Sequence, residues 1–232
     1  ALTGLTSLLF LPALAISGCA MPRESAELVE TITDTREVGP GSAGEVEVRI
    51  VAGVGSFAVS GGATGLMEAE FTYNVEEWRP EVGYEESGDI GILTVRQPSL
   101  KNRSIPDKAR NDWKILLSES LPMKVHLEAG VGGAELLLDR VQIEELVIEH
   151  GVGTAVVDLG SELTRDVRIE IDGGVGDIKV NVPRGVGVIV DADMGLGSLS
   201  APGLVKRGNS YVNAEYGESE FTVRISVDAG VG

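Results

Sequence analysis

The chain of 232 residues has one cysteine, two histidines, 4% aromatic residues and no charged residue among its first 22. A single thiol excludes a disulfide framework and a redox pair. With so few aromatic rings, a core has to be built from Val, Ile, Leu and Ala. Neither His126 nor His150 is accompanied by a second histidine, a cysteine or a serine elbow, so no nucleophilic or metal-ligating motif forms around them. Positive charge is also scarce: the formal net charge is −17. Such a balance argues against nucleic acid or anionic lipid as a binding surface, and it is compatible with divalent cations.

Glycine is plentiful, at 31 residues, and much of it falls in a repeated corner. Gly130-Val131-Gly132, Gly151-Val152-Gly153, Gly174-Val175-Gly176 and Gly195-Leu196-Gly197 start 21, 23 and 21 residues apart. Gly53-Val54-Gly55 comes earlier, and Gly230-Val231-Gly232 stands at the end. A period of this length marks stacked repeats. The runs between corners alternate with period two, so each repeat reads as two short strands.

Aligning the central residue of each corner makes columns visible. Four positions before it stand Ile50, Leu127, Ile148, Ile171, Ala192 and Val227; two before stand Ala52, Ala129, His150, Gly173, Met194 and Ala229. The residues between are largely polar, so one face is buried. After the corner the inward set shifts by one: Ala134, Leu136, Leu138; Ala155, Val157, Leu159; Ile178, Val180, Val182. A tight bend or bulge imposes that shift. Glycine reaches the backbone angles a bend needs and lets successive corners lie close together. The pattern predicts an all-β, solenoid-like stack with equivalent strands paired in parallel, about 4.8 Å apart.

Leu2 to Ile16 is an uncharged apolar run of signal-peptide length, broken by a proline. Ile16-Ser17-Gly18-Cys19 then places the lone cysteine after a small-residue cleavage site. This resembles a bacterial lipobox, which implies lipidation of Cys19, a membrane anchor and an extracytoplasmic location. We read residues 1–18 as a lipoprotein signal peptide, 19–42 as a tether containing an edge strand over 30–38, and 43–232 as the β-repeat domain. Because the sequence begins at Ala1 and stops on a corner, it is expected to be clipped at its start and to continue past Gly232, the last corner otherwise being an uncapped end.

Residues 66–118 break the period and form an insertion between the first and second repeats. Leu66 to Val75 alternates like a strand; Tyr84 to Gln97 reads as two strands joined at Ser87-Gly88-Asp89; Trp113 to Ser118 is a further strand. Between them, Gln97 to Asp112 is a polar, basic-leaning loop. The opening corner followed by Val59-Ser60-Gly61-Gly62, the stretch Glu68-Ala69-Glu70-Phe71-Thr72-Tyr73-Asn74, Leu93-Thr94-Val95-Arg96-Gln97-Pro98 and the Gly-Val-Gly run together resemble the bacterial toast-rack N-terminal domain family. That resemblance implies an adhesin-like β-repeat domain in a predicted lipoprotein, and it supplies no catalytic residues.

Several features are candidates for chemistry. Glu128, Glu149, Asp172, Asp193 and Asp228 stand three residues before their corner centres. On adjacent rungs they would repel, which suggests either a row of oxygen ligands for Ca²⁺ or carboxylates that accept backbone N–H bonds at the corner. His150 falls on the inward parity between small neighbours and is expected to be packed there. Trp78 and Trp113 are expected to cover the open end of the stack; with the Lys101–Arg110 loop they could instead form a binding patch. Gly39-Pro40-Gly41-Ser42-Ala43-Gly44 matches a dinucleotide-binding pattern, but no helix follows it, so it reads as a turn. The expected function is a non-enzymatic, lipid-anchored binding or sensory module for an envelope protein or glycan. The alternatives are an adhesin-like surface protein and an enzyme acting on envelope polysaccharide.

Overall fold

A computed structural model describes residues 24–101 and 103–231. It contains thirteen strands: β1 (Leu28–Val38), β2 (Glu45–Gly61), β3 (Met67–Val75), β4 (Glu81–Ser87), β5 (Ile90–Arg96), β6 (Asn111–Leu117), β7 (Met123–Leu137), β8 (Ile143–Asp158), β9 (Val167–Asn181), β10 (Gly187–Leu196), β11 (Val205–Arg207), β12 (Ser210–Val212) and β13 (Thr222–Val231). The helical turn among the described residues is a single 3₁₀ turn, Glu76–Trp78. The protein is an all-β stack of repeats.

The stack is built on β2, β7, β8 and β9, which pair in parallel along their whole lengths. Each is one continuous strand bent at its corner, so a repeat is an incoming half and an outgoing half rather than two separate strands. The columns seen in the sequence are the rungs of this ladder: Ile50 pairs with Leu127, Leu127 with Ile148 and Ile148 with Ile171. All four are no more than 3% exposed. The inward set then shifts as expected. Ala134, Leu136 and Leu138 are buried on β7 and its return loop, and Ala155, Val157 and Leu159 on the next rung. Each buried Val, Leu or Ile among them contributes about 1.5–3 kcal/mol of hydrophobic stabilisation.

The corner is the point where glycine is required. Gly132, Gly153 and Gly176 have φ of 138°, 140° and 140°. A β-carbon there would stand 1.8, 1.9 and 1.7 Å from the carbonyl oxygen of Gly55, Gly132 and Gly153 on the preceding rung. The first glycines, Gly130, Gly151 and Gly174, would meet the preceding rung's glycine oxygen at 2.4, 2.3 and 2.2 Å. Backbone crosses backbone too closely for any side chain between.

Sequence order and rung order part company after β9. The next rung is β13, which pairs in parallel with β9 on one side and β10 on the other. Val231 therefore faces both Val175 and Leu196. This corrects two expectations: the Gly195 corner does not follow the Gly174 corner directly, and the Gly230 corner lies inside the stack rather than at its open end. A hairpin of β12 and β11 then continues the sheet antiparallel from β10.

At the other end the inserted residues complete the stack. Strand β5 pairs with the incoming half of β2 and β6 with its outgoing half. Beyond them β4 extends one branch and β3 and β1 the other. The turn joining β4 to β5 falls at Gly88-Asp89 as expected. The edge strand expected over 30–38 is present as β1, which ties residues 28–38 of the 19–42 segment to β3.

Candidate binding surface

At the β2 corner two side chains take the place of a neighbouring rung. Gln97 Oε1 accepts from the backbone N–H of Gly53 and Val54, at 2.8 and 3.3 Å. Asn111 Nδ2 donates to the Val54 carbonyl at 2.8 Å and to Gln97 Oε1 at 3.0 Å. Trp113 Nε1 donates to Asn111 Oδ1 at 2.8 Å, which fixes the amide. Trp113 is wedged edge-on between Phe57 and Phe71, with ring centroids 5.5 and 5.1 Å away. Trp78 is 2% exposed and packs with Ala26 and Val75, against which Val54, Leu100 and Ala109 lie. Both tryptophans are therefore core, covering the end of the stack, and their burial rules out an aromatic binding patch. Sequence reasoning missed Gln97 and Asn111; the only signal was a polar residue two positions before a tryptophan on a strand.

The acidic column is a ladder. Glu128 pairs with Glu149, Glu149 with Asp172, Asp172 with Asp228 and Asp228 with Asp193, and all five side chains are exposed. One relief of their repulsion is His126, whose Nε2 lies 3.0 Å from Glu149 Oε1. Bonds from these carboxylates to corner N–H groups do not occur among the described residues. Nor, among those residues, do three His, Cys, Asp or Glu side chains converge as a metal would need. Successive carboxylates fan outward along the stack instead.

His150 sits inward as expected, 4% exposed, between Ala129 and Gly173. Its Nε2 has no protein partner and borders a cavity of about 10 Å³ lined by Gly153, Gly173, Gly176 and Ile178. That is room for about one water.

Two of the larger hollows among the described residues flank the stack. A cleft of about 660 Å³ lies on the return-loop side, over residues 138–143 and 159–167. Its two arginines are engaged: Arg165 bonds Glu144 and Gln142, and Arg140 meets Glu119 at 3.1 Å. A groove of about 900 Å³ lies beyond β9 and is lined by Ile178, Val180, Val182, Val190, Ile225 and Val227. It exists because the outgoing half of β9 pairs with β8 but has no described strand on its other side. Ile178, Val180 and Val182 point inward yet remain partly exposed.

On the outside of the corners the central residues form their own column. Val131, Val152 and Val175 are each 48% exposed, Val231 46% and Leu196 72%. The predicted lipidation site, Cys19, lies outside the described residues, as does the whole 1–18 signal segment.

The family model for the N-terminal domain of toast_rack (DUF2154) matches residues 25–181, more than half of the chain. A crystal structure of a "putative cell adhesion protein" from Clostridium sporogenes is 31% identical, with a TM-score of 0.79, covering 88% of this chain and 97% of that one. A "putative adhesin" from Parabacteroides distasonis is 14% identical with a TM-score of 0.41, covering 76% of this chain and 74% of that one. Among curated proteins no match was found.

Proposed function

The chain belongs to the toast-rack N-terminal domain family, and from that premise we propose that it is a non-enzymatic, adhesin-like binding module held outside the cytoplasmic membrane by lipid on Cys19. The observation that carries this reading is the likeness, at 31% identity over 88% of the chain, to the "putative cell adhesion protein" of Clostridium sporogenes. The geometry supports it. Parallel rungs in register repeat the same outward chemistry every step, valine over valine and carboxylate over carboxylate. A surface of that kind offers many equivalent contacts along a line, whereas catalysis asks different groups to converge on one point. In the return-loop cleft the arginines are taken up in pairs with Glu144 and Glu119.

The lipid anchor rests on the Ile16-Ser17-Gly18-Cys19 pattern. Labelling cells with an alkyne fatty acid tests it: the chain should take up label and partition with membranes, and Cys19→Ser should do neither. Incubating the full chain with envelope fractions tests the binding role. Saturable retention supports it, and turnover of envelope polysaccharide by the purified chain would replace it with an enzymatic one.

A further inference from the structure

The corner centres make an exposed apolar line. Val131, Val152, Val175, Val231 and Leu196 follow one another on consecutive rungs, each between 46% and 72% exposed. Their chain neighbours at the corners are largely glycines, so no adjacent side chain covers them. An unbroken apolar line rimmed by polar residues marks an interaction site on a soluble protein.

What covers such a line can be read from its first rung. Val54, the partner of Val131, is not bare: with Leu100 and Ala109 it packs against the cluster of Ala26, Val75 and Trp78. The loop that contributes Leu100 and Ala109 to this cover carries Lys101, Arg103, Lys108 and Arg110, all exposed. The remaining rungs continue this position and have no cover among the described residues. Beside them runs the acidic column, three residues before each corner centre, or roughly 10 Å along the strand.

We propose that the ridge from Val131 to Leu196 is a docking line for a cationic amphipathic helix of a partner protein, its apolar stripe on the valines and its Lys or Arg residues over Glu128, Glu149, Asp172, Asp228 and Asp193. The spacing favours a helix. Rungs about 4.8 Å apart lie nearer the 5.4 Å helical turn than the roughly 6.7 Å two-residue step of a strand. Charge selects the partner. A second copy would bring a like acidic column and another −17 against the first, and anionic lipid would be repelled in the same way. This inference deepens the binding role proposed above and rests on it.

The test is titration of the full chain against a fluorescent 18-residue peptide of leucine and lysine with one apolar face, read by anisotropy. The peptide should bind, gain helicity and weaken steeply with salt, while the same peptide with glutamate for lysine should not bind. V131T/V152T/V175T keeps β-branched shape and should cost about 10-fold or more in affinity. E128Q/E149Q/D172N, confined to exposed carboxylates and so safe for folding, should weaken binding and flatten its salt dependence. Equal binding of the glutamate peptide, or unchanged affinity in both variants, overturns the proposal. So does V131T/V152T/V175T losing self-association in sedimentation, or attachment to phosphatidylcholine–phosphatidylglycerol vesicles, while keeping the peptide. Envelope retention that survives both variants would leave the binding role standing and remove the ridge from it.

Discussion

Val59 on β2 is 1% exposed, whereas Val180, three rungs further along the same column, is only partly covered. The sequence chemistry at the two sites is identical; the neighbours differ. At the β2 end the incoming and outgoing halves each receive a further strand, and Gln97 and Asn111 bond the corner backbone between them. At the β9 end the incoming half continues through β13 and β10, but the outgoing half pairs on one side only among the described residues. A repeat cannot bury its own face, so the worth of a core residue here is set by the rung beside it.

The largest effect should come from a corner. Gly132→Ala would put a β-carbon 1.8 Å from the Gly55 oxygen at a φ of 138°, and is expected to cost about 3–5 kcal/mol in denaturant unfolding. Gly230→Ala, 2.8 Å from the Gly174 oxygen and free of the positive φ, should cost about 1–2 kcal/mol. Equal losses would mean that the positive φ and closer approach at Gly132 carry no added cost. Next comes Asn111→Ala, which strips partners from Val54 and Trp113 in a buried setting and should cost about 2–3 kcal/mol.

Within one column, Val157→Ala should cost about 2 kcal/mol and Val180→Ala under about 1 kcal/mol. A ratio near one would show that something covers the outgoing half of β9 in solution.

A smaller effect belongs to the β2 end. Glu86 accepts bonds from Ser42 Oγ and N and from Tyr84, which hold its carboxyl below the usual 4.5. The lowered group stabilises the fold above its unfolded pKa and loses that contribution as pH falls through the folded value. Glu86→Gln should therefore flatten the acid limb of a melting series, while the Val180 region shows no change. Smallest of all, Ca²⁺ and Mg²⁺ at equal ionic strength should raise the midpoint alike, by about 2 °C or less, because the acidic column is screened rather than coordinated. A shift specific to Ca²⁺ would restore the reading of Glu128, Glu149 and Asp172 as ligands.

The columns were legible because a parallel ladder repeats its inward positions. Leu127, Ile148 and Ile171 could be placed over one another from spacing alone, and so could the glycines that let them stack. The order of the last rungs was not legible for the same reason. Val190 and Ile225 occupy the same column with the same chemistry, so exchanging β10 and β13 leaves every column intact. Gln97 and Asn111 were hidden by their polarity: in a loop they read as solvated, and only the backbone groups of Gly53 and Val54 make them structural. The exposed valines were read as part of the corner, since a bend of this kind gives no parity by which to tell outward from inward.

The position of β13 also sets a timetable. Strand β10 pairs with β12 and β13 and with no described strand before itself, so as the ribosome releases it, β10 has no edge to join. Its Val188 and Val190 stay in water until the residues up to Val231 have emerged and wedged against Val167–Val175 of β9. Translation thus finishes the earlier rungs one by one and leaves a single late, long-range closure, which makes the interval between residues 196 and 231 the time of greatest exposure to aggregation.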